Sequence, residues 1–164
     1  PFAIRYPRGR GFSTNWRTEF QEIPVGRGRQ IKEGSDLAIL TLGHVGNFAL
    51  EASEKLEEQQ VGAAVFDLRF LKPLDEGLLH RVFKSFDKII TIEDGVVQGG
   101  FGSAILEFMS ENKYQAQVKR LGIPDRFIDH GNQQELYAEC GYDVEGIFQA
   151  ARSMVRKKVL HRAG

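Results

Sequence analysis

At 164 residues the chain has the size of one domain and should bury about 70% of the surface its unfolded form exposes. With 41% apolar residues, 10% aromatics and 18 glycines, it is neither disordered nor collagen-like, and the lone cysteine, Cys140, excludes an internal disulfide. Lys plus Arg is 22 and Asp plus Glu is 22, so the overall field gives no reason to expect nucleic acid, and no apolar run reaches the roughly 18–20 residues of a membrane-spanning helix. No membrane and a cytoplasmic location are the expectations, the latter because a single thiol suits a reducing compartment.

The charge is unevenly spread. Residues 1–32 hold seven bases (Arg5, Arg8, Arg10, Arg17, Arg27, Arg29, Lys32) against Glu19 and Glu22, a local +5 that the rest of the chain balances at −5. Pro1 is not an initiating methionine and Phe2–Tyr6 reads as a strand already under way, which points to a cut fragment with something missing upstream. Pro7–Gly28 has no sustained period and reads as a long arginine-rich connection. Asp36–Leu42 is a short β-compatible apolar run closed by Gly43, the pattern of a strand buried on both faces. A helix follows, with Asn47 as N-cap and Val45, Phe48, Ala49, Ala52 and Leu56 on one face.

The alternation then repeats. Ala63–Leu68 is a strand, Asp75–Phe86 a helix with Leu78, Leu79, Val82, Phe83 and Phe86 inward, and Lys88–Ile92 the next strand. Gly99-Gly100-Phe101-Gly102 leads into a helix over Ser103–Ser110, and Ala116–Leu121 is a further strand. Asn132 and Glu135 are spaced as a capping box, and Asp143 opens a last helix with Val144, Ile147, Ala151 and Met154 inward. Strands alternating with helices predict an α/β fold of three layers, α/β/α, around a mostly parallel or mixed sheet. The expected division is 1–34 as an arginine-rich opening segment and linker, 35–158 as the domain and 159–164 as a tail.

Several groups are candidates for chemistry. The turn Asp94–Gly102 lies between strand and helix, where a phosphate meets backbone N–H groups. The dinucleotide fingerprint fails, however, because Ile105 stands where the last glycine or alanine is needed, and there is no G-K-S/T. The favoured reading is glycine for close backbone approach. Arg5, Arg8 and Arg10 cluster around Pro7, and guanidinium forks match phosphate oxygens, so a phosphorylated ligand or a merely solvated loop are both open. Glu93 and Asp94 are either an acid–base pair, a partner for a base across an interface or, more commonly, a surface pair. His44, His80, His130 and His161 share no metal-ligand spacing and read as structural; Cys140 has no His or Asn context for a nucleophile. Arg152, Arg156, Lys157, Lys158 and Arg162 read as positive charge favoured at a helix end.

Four segments carry a resemblance: Tyr6-Pro7-Arg8-Gly9, Arg69-Phe70-Leu71-Lys72-Pro73-Leu74-Asp75, Gly99–Ala104 and Leu121–Gly131 with its Pro124-Asp125-Arg126-Phe127-Ile128-Asp129-His130-Gly131. In this order they resemble the C-terminal, third domain of the 1-deoxy-D-xylulose-5-phosphate synthases, in the transketolase-like family, from Phe2 to about Ala151. The chain departs from that pattern at Arg10, at His44 and at Glu93-Asp94-Gly95, where Glu-Glu-Asn is more usual. The resemblance implies a transketolase C-terminal-like fold within a homodimeric transferase that uses thiamine diphosphate and Mg²⁺. Such an enzyme condenses pyruvate with glyceraldehyde 3-phosphate, releasing CO₂. It implies that the cofactor lies in upstream domains of the same chain, that no catalytic, cofactor-binding or metal residue lies here, and that Arg8 helps hold the substrate phosphate. The same fold is compatible with transketolase or a 2-oxo acid dehydrogenase β subunit, and a free-standing α/β binding module is the reading from another class.

Overall fold

The structure, a computed structural model, describes residues 3, 4, 6, 7, 11, 12, 17 and 19–155. Ten elements follow one another: β1 (Arg29–Lys32), β2 (Leu37–Leu42), α1 (Gly46–Glu57), β3 (Ala63–Asp67), α2 (Glu76–Ser85), β4 (Lys88–Val96), α3 (Phe101–Glu111), β5 (Gln117–Ile123), α4 (Gln133–Glu139) and α5 (Val144–Val155). The five strands form one mixed sheet in the order β1-β3-β2-β4-β5, with β1 antiparallel to β3 and the other pairs parallel. This is the expected α/β architecture.

Period-two alternation divides the core between the two faces. Leu37, Ile39, Val65, Ile90 and Ile92 lie on one side with Ala49, Ala52 and Leu56 of α1 and Ile147, Ala151 and Met154 of α5. Ala38, Leu40, Phe66 and Ile89 lie on the other with Leu78, Leu79 and Val82 of α2 and Phe101, Ile105 and Phe108 of α3. Both faces are covered, so β2 reads as an unbroken apolar run. Its first five residues are all buried.

Four expectations are corrected. No strand forms among the described residues of 2–6, where Ile4 and Tyr6 are 75% and 81% exposed and have no sheet neighbour. Instead the antiparallel edge strand β1 lies inside the opening segment, with a register irregularity between Gln30 and Lys32. The N-cap of α1 is Val45 rather than Asn47, because the turn at Gly43 (φ +84°) already starts the helix; the Asn47 side-chain amide donates to the His44 carbonyl at 3.0 Å. Helix α3 starts at Phe101, two residues before Ser103, for a reason given below. Finally, β4 runs to Val96 rather than stopping at Ile92, and its pairing with β5 shifts register on the way.

Candidate functional site

From β2 the chain crosses through α1 to β3 on one side, and from β3 it crosses through α2 back to β4 on the other. The strand order therefore reverses between β2 and β4, and the crevice at their carboxyl ends is where open α/β sheets take ligands. His44 follows β2, and Glu93 and Asp94 lie near the end of β4, so two of the sequence departures meet at this crevice.

Alternation along β4 sends the adjacent carboxylates to opposite faces. Glu93, 7% exposed, points to the α3 side, where its Oε2 accepts from the Phe101 N–H at 2.7 Å and its Oε1 from the Gly102 N–H at 2.9 Å. A carboxylate thus fills the positive end of α3, and this cap is what lets the helix begin at Phe101. A side chain at Gly100 would overlap Glu93 Oε2, and one at Gly102 would press on Thr91 Oγ1 at 2.6 Å. The glycine-rich turn is built for close approach and holds an internal anion where a phosphate would otherwise bind. Arg120 Nη1 donates to the Val97 carbonyl at 2.7 Å and to Ser103 Oγ at 2.9 Å, which ties the turn to β5.

Asp94 faces the α1/α5 side. Its Oδ1 accepts from the Tyr142 hydroxyl at 3.0 Å, and its Oδ2 lies 4.0 Å from His44 Nε2. That imidazole nitrogen is 3.2 Å from the Tyr137 hydroxyl, and the Tyr137 ring packs on Phe48 at 5.3 Å and on Tyr142 at 5.3 Å. Burial, reinforced by the neighbouring Asp94 charge, holds the Tyr142 phenol far above its ordinary pKa, so it remains a donor. Glu93 and Asp94 are therefore neither a pair with each other nor free surface groups; one caps a helix and the other pins α4 and α5 to the crevice.

The remaining candidates have structural surroundings. His80 Nδ1 lies 2.8 Å from the Tyr114 hydroxyl, with its ring 5.0 Å from Phe108. Cys140 is the C-cap of α4, and desolvation, with Glu139 beside it, raises its thiol pKa, the opposite of nucleophile activation. Asn132 and Glu135 make the expected capping box. Arg152 stacks on Phe148 at 5.4 Å. Arg5, Arg8, Arg10, Arg156, Lys157, Lys158, His161 and Arg162 lie outside the described residues. Among the described residues no group of three His, Cys, Asp or Glu suits a metal ion, and no helix is long and apolar enough to cross a membrane.

Sequence reasoning missed a second cluster beside β3. Asp67 Oδ2 lies 3.4 Å from Arg29 Nε and 3.9 Å from Arg69 Nε, and its Oδ1 accepts from the Arg69 N–H at 3.1 Å, bracing that residue at φ +57°. These three line an open groove of about 700 Å³ with Glu19, Phe20 and Ile23. The next residues of the same motif reach Asp75, which caps α2 through the Leu78 N–H at 2.8 Å and holds the incoming chain through the Gly28 N–H at 3.0 Å. The clue available in the sequence was Arg29 opposite Asp67, visible only once β1 is known to be a strand.

Residues 26–147 match the family described as transketolase, C-terminal domain. The chain belongs to the transketolase C-terminal domain family. Among curated relatives it is 56% identical over 154 residues to the 1-deoxy-D-xylulose-5-phosphate synthase of Cytophaga hutchinsonii, covering 94% of this chain and 24% of that protein. It is 55% identical over 150 residues to the synthase of Bacteroides fragilis, covering 91% and 23%. The chain thus spans about a quarter of the length of these relatives. Among solved structures, a split-gene transketolase described as an inactive beta4 tetramer superposes with a TM-score of 0.76 at 34% identity, over 84% of this chain and 44% of that one. A transketolase mutant from Pichia stipitis, 22% identical with a TM-score of 0.58 over 81% of this chain and 18% of its own, shares the transketolase C-terminal fold.

Proposed function

We propose that the chain is the third domain of a 1-deoxy-D-xylulose-5-phosphate synthase, a cytoplasmic homodimer that condenses pyruvate with glyceraldehyde 3-phosphate, releasing CO₂. The observation that carries this reading is the 56% identity to such a synthase across 94% of the chain. Residues 1–34 then lead in from upstream domains, their last part adding the edge strand β1 to the sheet, 35–158 form the rest of the transketolase C-terminal-like unit and 159–164 are a tail.

Thiamine diphosphate and Mg²⁺ supply the chemistry that removes CO₂ from pyruvate and prepares the new carbon–carbon bond. The described residues do not fit that group: the glycine-rich helix start is filled by Glu93, and no acidic or imidazole cluster suits the metal. On this reading the cofactor lies in the upstream domains, and the chain by itself does not turn over. Its contribution is binding. Arg8, in the Y-P-R-G stretch, places a permanent charge and paired donors on the phosphate of glyceraldehyde 3-phosphate. Gripping the non-reacting end of the acceptor orients its aldehyde and confers preference for a phosphorylated substrate.

Product formation from pyruvate and glyceraldehyde 3-phosphate by the full-length protein tests the reading. Transketolase is the second reading, favoured by the 34% identity to the split-gene enzyme. Two-carbon transfer from a ketose phosphate, with no activity on pyruvate, would select it.

A further inference from the structure

Arg69, just past the end of β3, has its side chain three-quarters covered, at 25% exposure, yet its guanidinium makes no hydrogen bond among the described residues. Its ion pair with Asp67 Oδ2 is 3.9 Å long, beyond bonding distance. The same oxygen lies 3.4 Å from Nε of Arg29, which stands opposite Asp67 in the register of β1 and β3. One carboxylate thus serves two guanidinium groups, and its Oδ1 is already committed to the Arg69 N–H at 3.1 Å. The cluster keeps a surplus positive charge. An arginine pair that served the fold alone would close to paired bonds of about 2.7–2.9 Å. Arg69 also holds φ at +57°, a region that residues with side chains rarely enter, and such strain collects where a ligand is gripped.

We infer that Arg29 and Arg69 form an oxyanion site whose ligand is a small phosphate monoester. Both guanidinium groups converge on one carboxylate oxygen and line the open groove of about 700 Å³. A carboxylate has two oxygens, enough for one guanidinium fork, whereas the three terminal oxygens of a phosphate monoester serve two. The groove is larger than a phosphate and has an apolar wall of Phe20 and Ile23, 106% and 51% exposed, which suits the carbon body of an ester. Glu19 is the one other charged residue in the lining, and it opposes the anion and lowers its affinity. The site uses none of the residues given to the proposed reaction.

Calorimetric titration with phenyl phosphate tests this, on the full-length protein with thiamine diphosphate and Mg²⁺ present and with Arg8→Ala removing the proposed substrate grip. Binding should saturate at a single site, weaken about tenfold or more on Arg69→Gln, and tighten about threefold on Glu19→Gln. Benzoate, which carries the same ring on a carboxylate, should bind about tenfold more weakly than phenyl phosphate. Binding that never saturates, or that is indifferent to Arg69→Gln, overturns the inference. Equal affinity for benzoate overturns the assignment to phosphate. Should Arg69→Gln fail to fold, Arg29→Gln, at a side chain 56% exposed, carries the same test with the same expected loss. Because the readout is binding in a variant without the Arg8 grip, its failure leaves the synthase reading standing, and a failed synthase assay leaves this site standing.

Discussion

Replacing Glu93 removes the one acceptor that satisfies two buried N–H groups at the start of α3. The bonds are short, at 2.7 and 2.9 Å, and the side chain is 7% exposed, so no bulk water waits to take its place. Each orphaned donor costs about 1–3 kcal/mol, and a carboxylate at a partly buried helix N-terminus contributes up to about 2 kcal/mol more. These contributions share one group and do not simply add. Glu93→Ala should therefore lose about 3–5 kcal/mol, a large part of the roughly 5–15 kcal/mol that holds a domain together. Glu93→Gln keeps one acceptor but turns an NH₂ toward the second donor, and should lose about 2–3 kcal/mol. Urea unfolding of the 164-residue chain followed by far-ultraviolet circular dichroism reads both values, with the denaturant slope unchanged. A loss below about 1 kcal/mol for Glu93→Ala would refute the capping role and reopen the helix start as a site for an external anion.

Thr91 lies beneath Gly102 with its hydroxyl buried and unpartnered, so Thr91→Val should raise stability by about 1 kcal/mol; a destabilised variant would mean that the hydroxyl has a partner. Tyr142→Phe should cost about 1 kcal/mol at neutral pH by removing the bond to Asp94. Because the folded phenol pKa is raised, its contribution is fully present below the unfolded value of about 10 and is lost as pH rises through the folded value; stability should fall above about pH 10, and less steeply in the Phe variant. Equal alkaline slopes in the two proteins would contradict the assignment.

What could be read from the sequence tracks how local its cause is. Ala63–Leu68 and Asp36–Leu42 announce themselves because strands covered on both faces are apolar throughout, and Asn132 with Glu135 specifies a helix start within four residues. Arg29–Lys32 does not, since an edge strand with one neighbour needs no apolar pattern; its first three residues are exposed. The opposite destinations of Glu93 and Asp94 were hidden for a different reason. Their roles are set by Phe101, Gly102 and Tyr142, which only the folded sheet brings near them. Ser103 is a natural first residue for α3 unless the distant Glu93 carboxylate, which accepts from the Phe101 and Gly102 N–H groups, is known to start the helix two residues earlier. The role proposed for Arg8 comes from resemblance to a family, not from spacing, because basic residues around a proline look the same in sequence whether they hold a phosphate or face water.

The decisive measurement is kcat/KM of the full-length protein for glyceraldehyde 3-phosphate and for unphosphorylated glyceraldehyde, each with pyruvate as donor, before and after Arg8→Ala. Loss of a charged hydrogen bond of about 1.5–3 kcal/mol corresponds to a fall of roughly 10- to 150-fold for the phosphorylated acceptor, with the unphosphorylated one nearly unaffected. An unchanged kcat/KM for glyceraldehyde 3-phosphate, or an equal fall for both acceptors, would contradict a phosphate grip supplied by this domain.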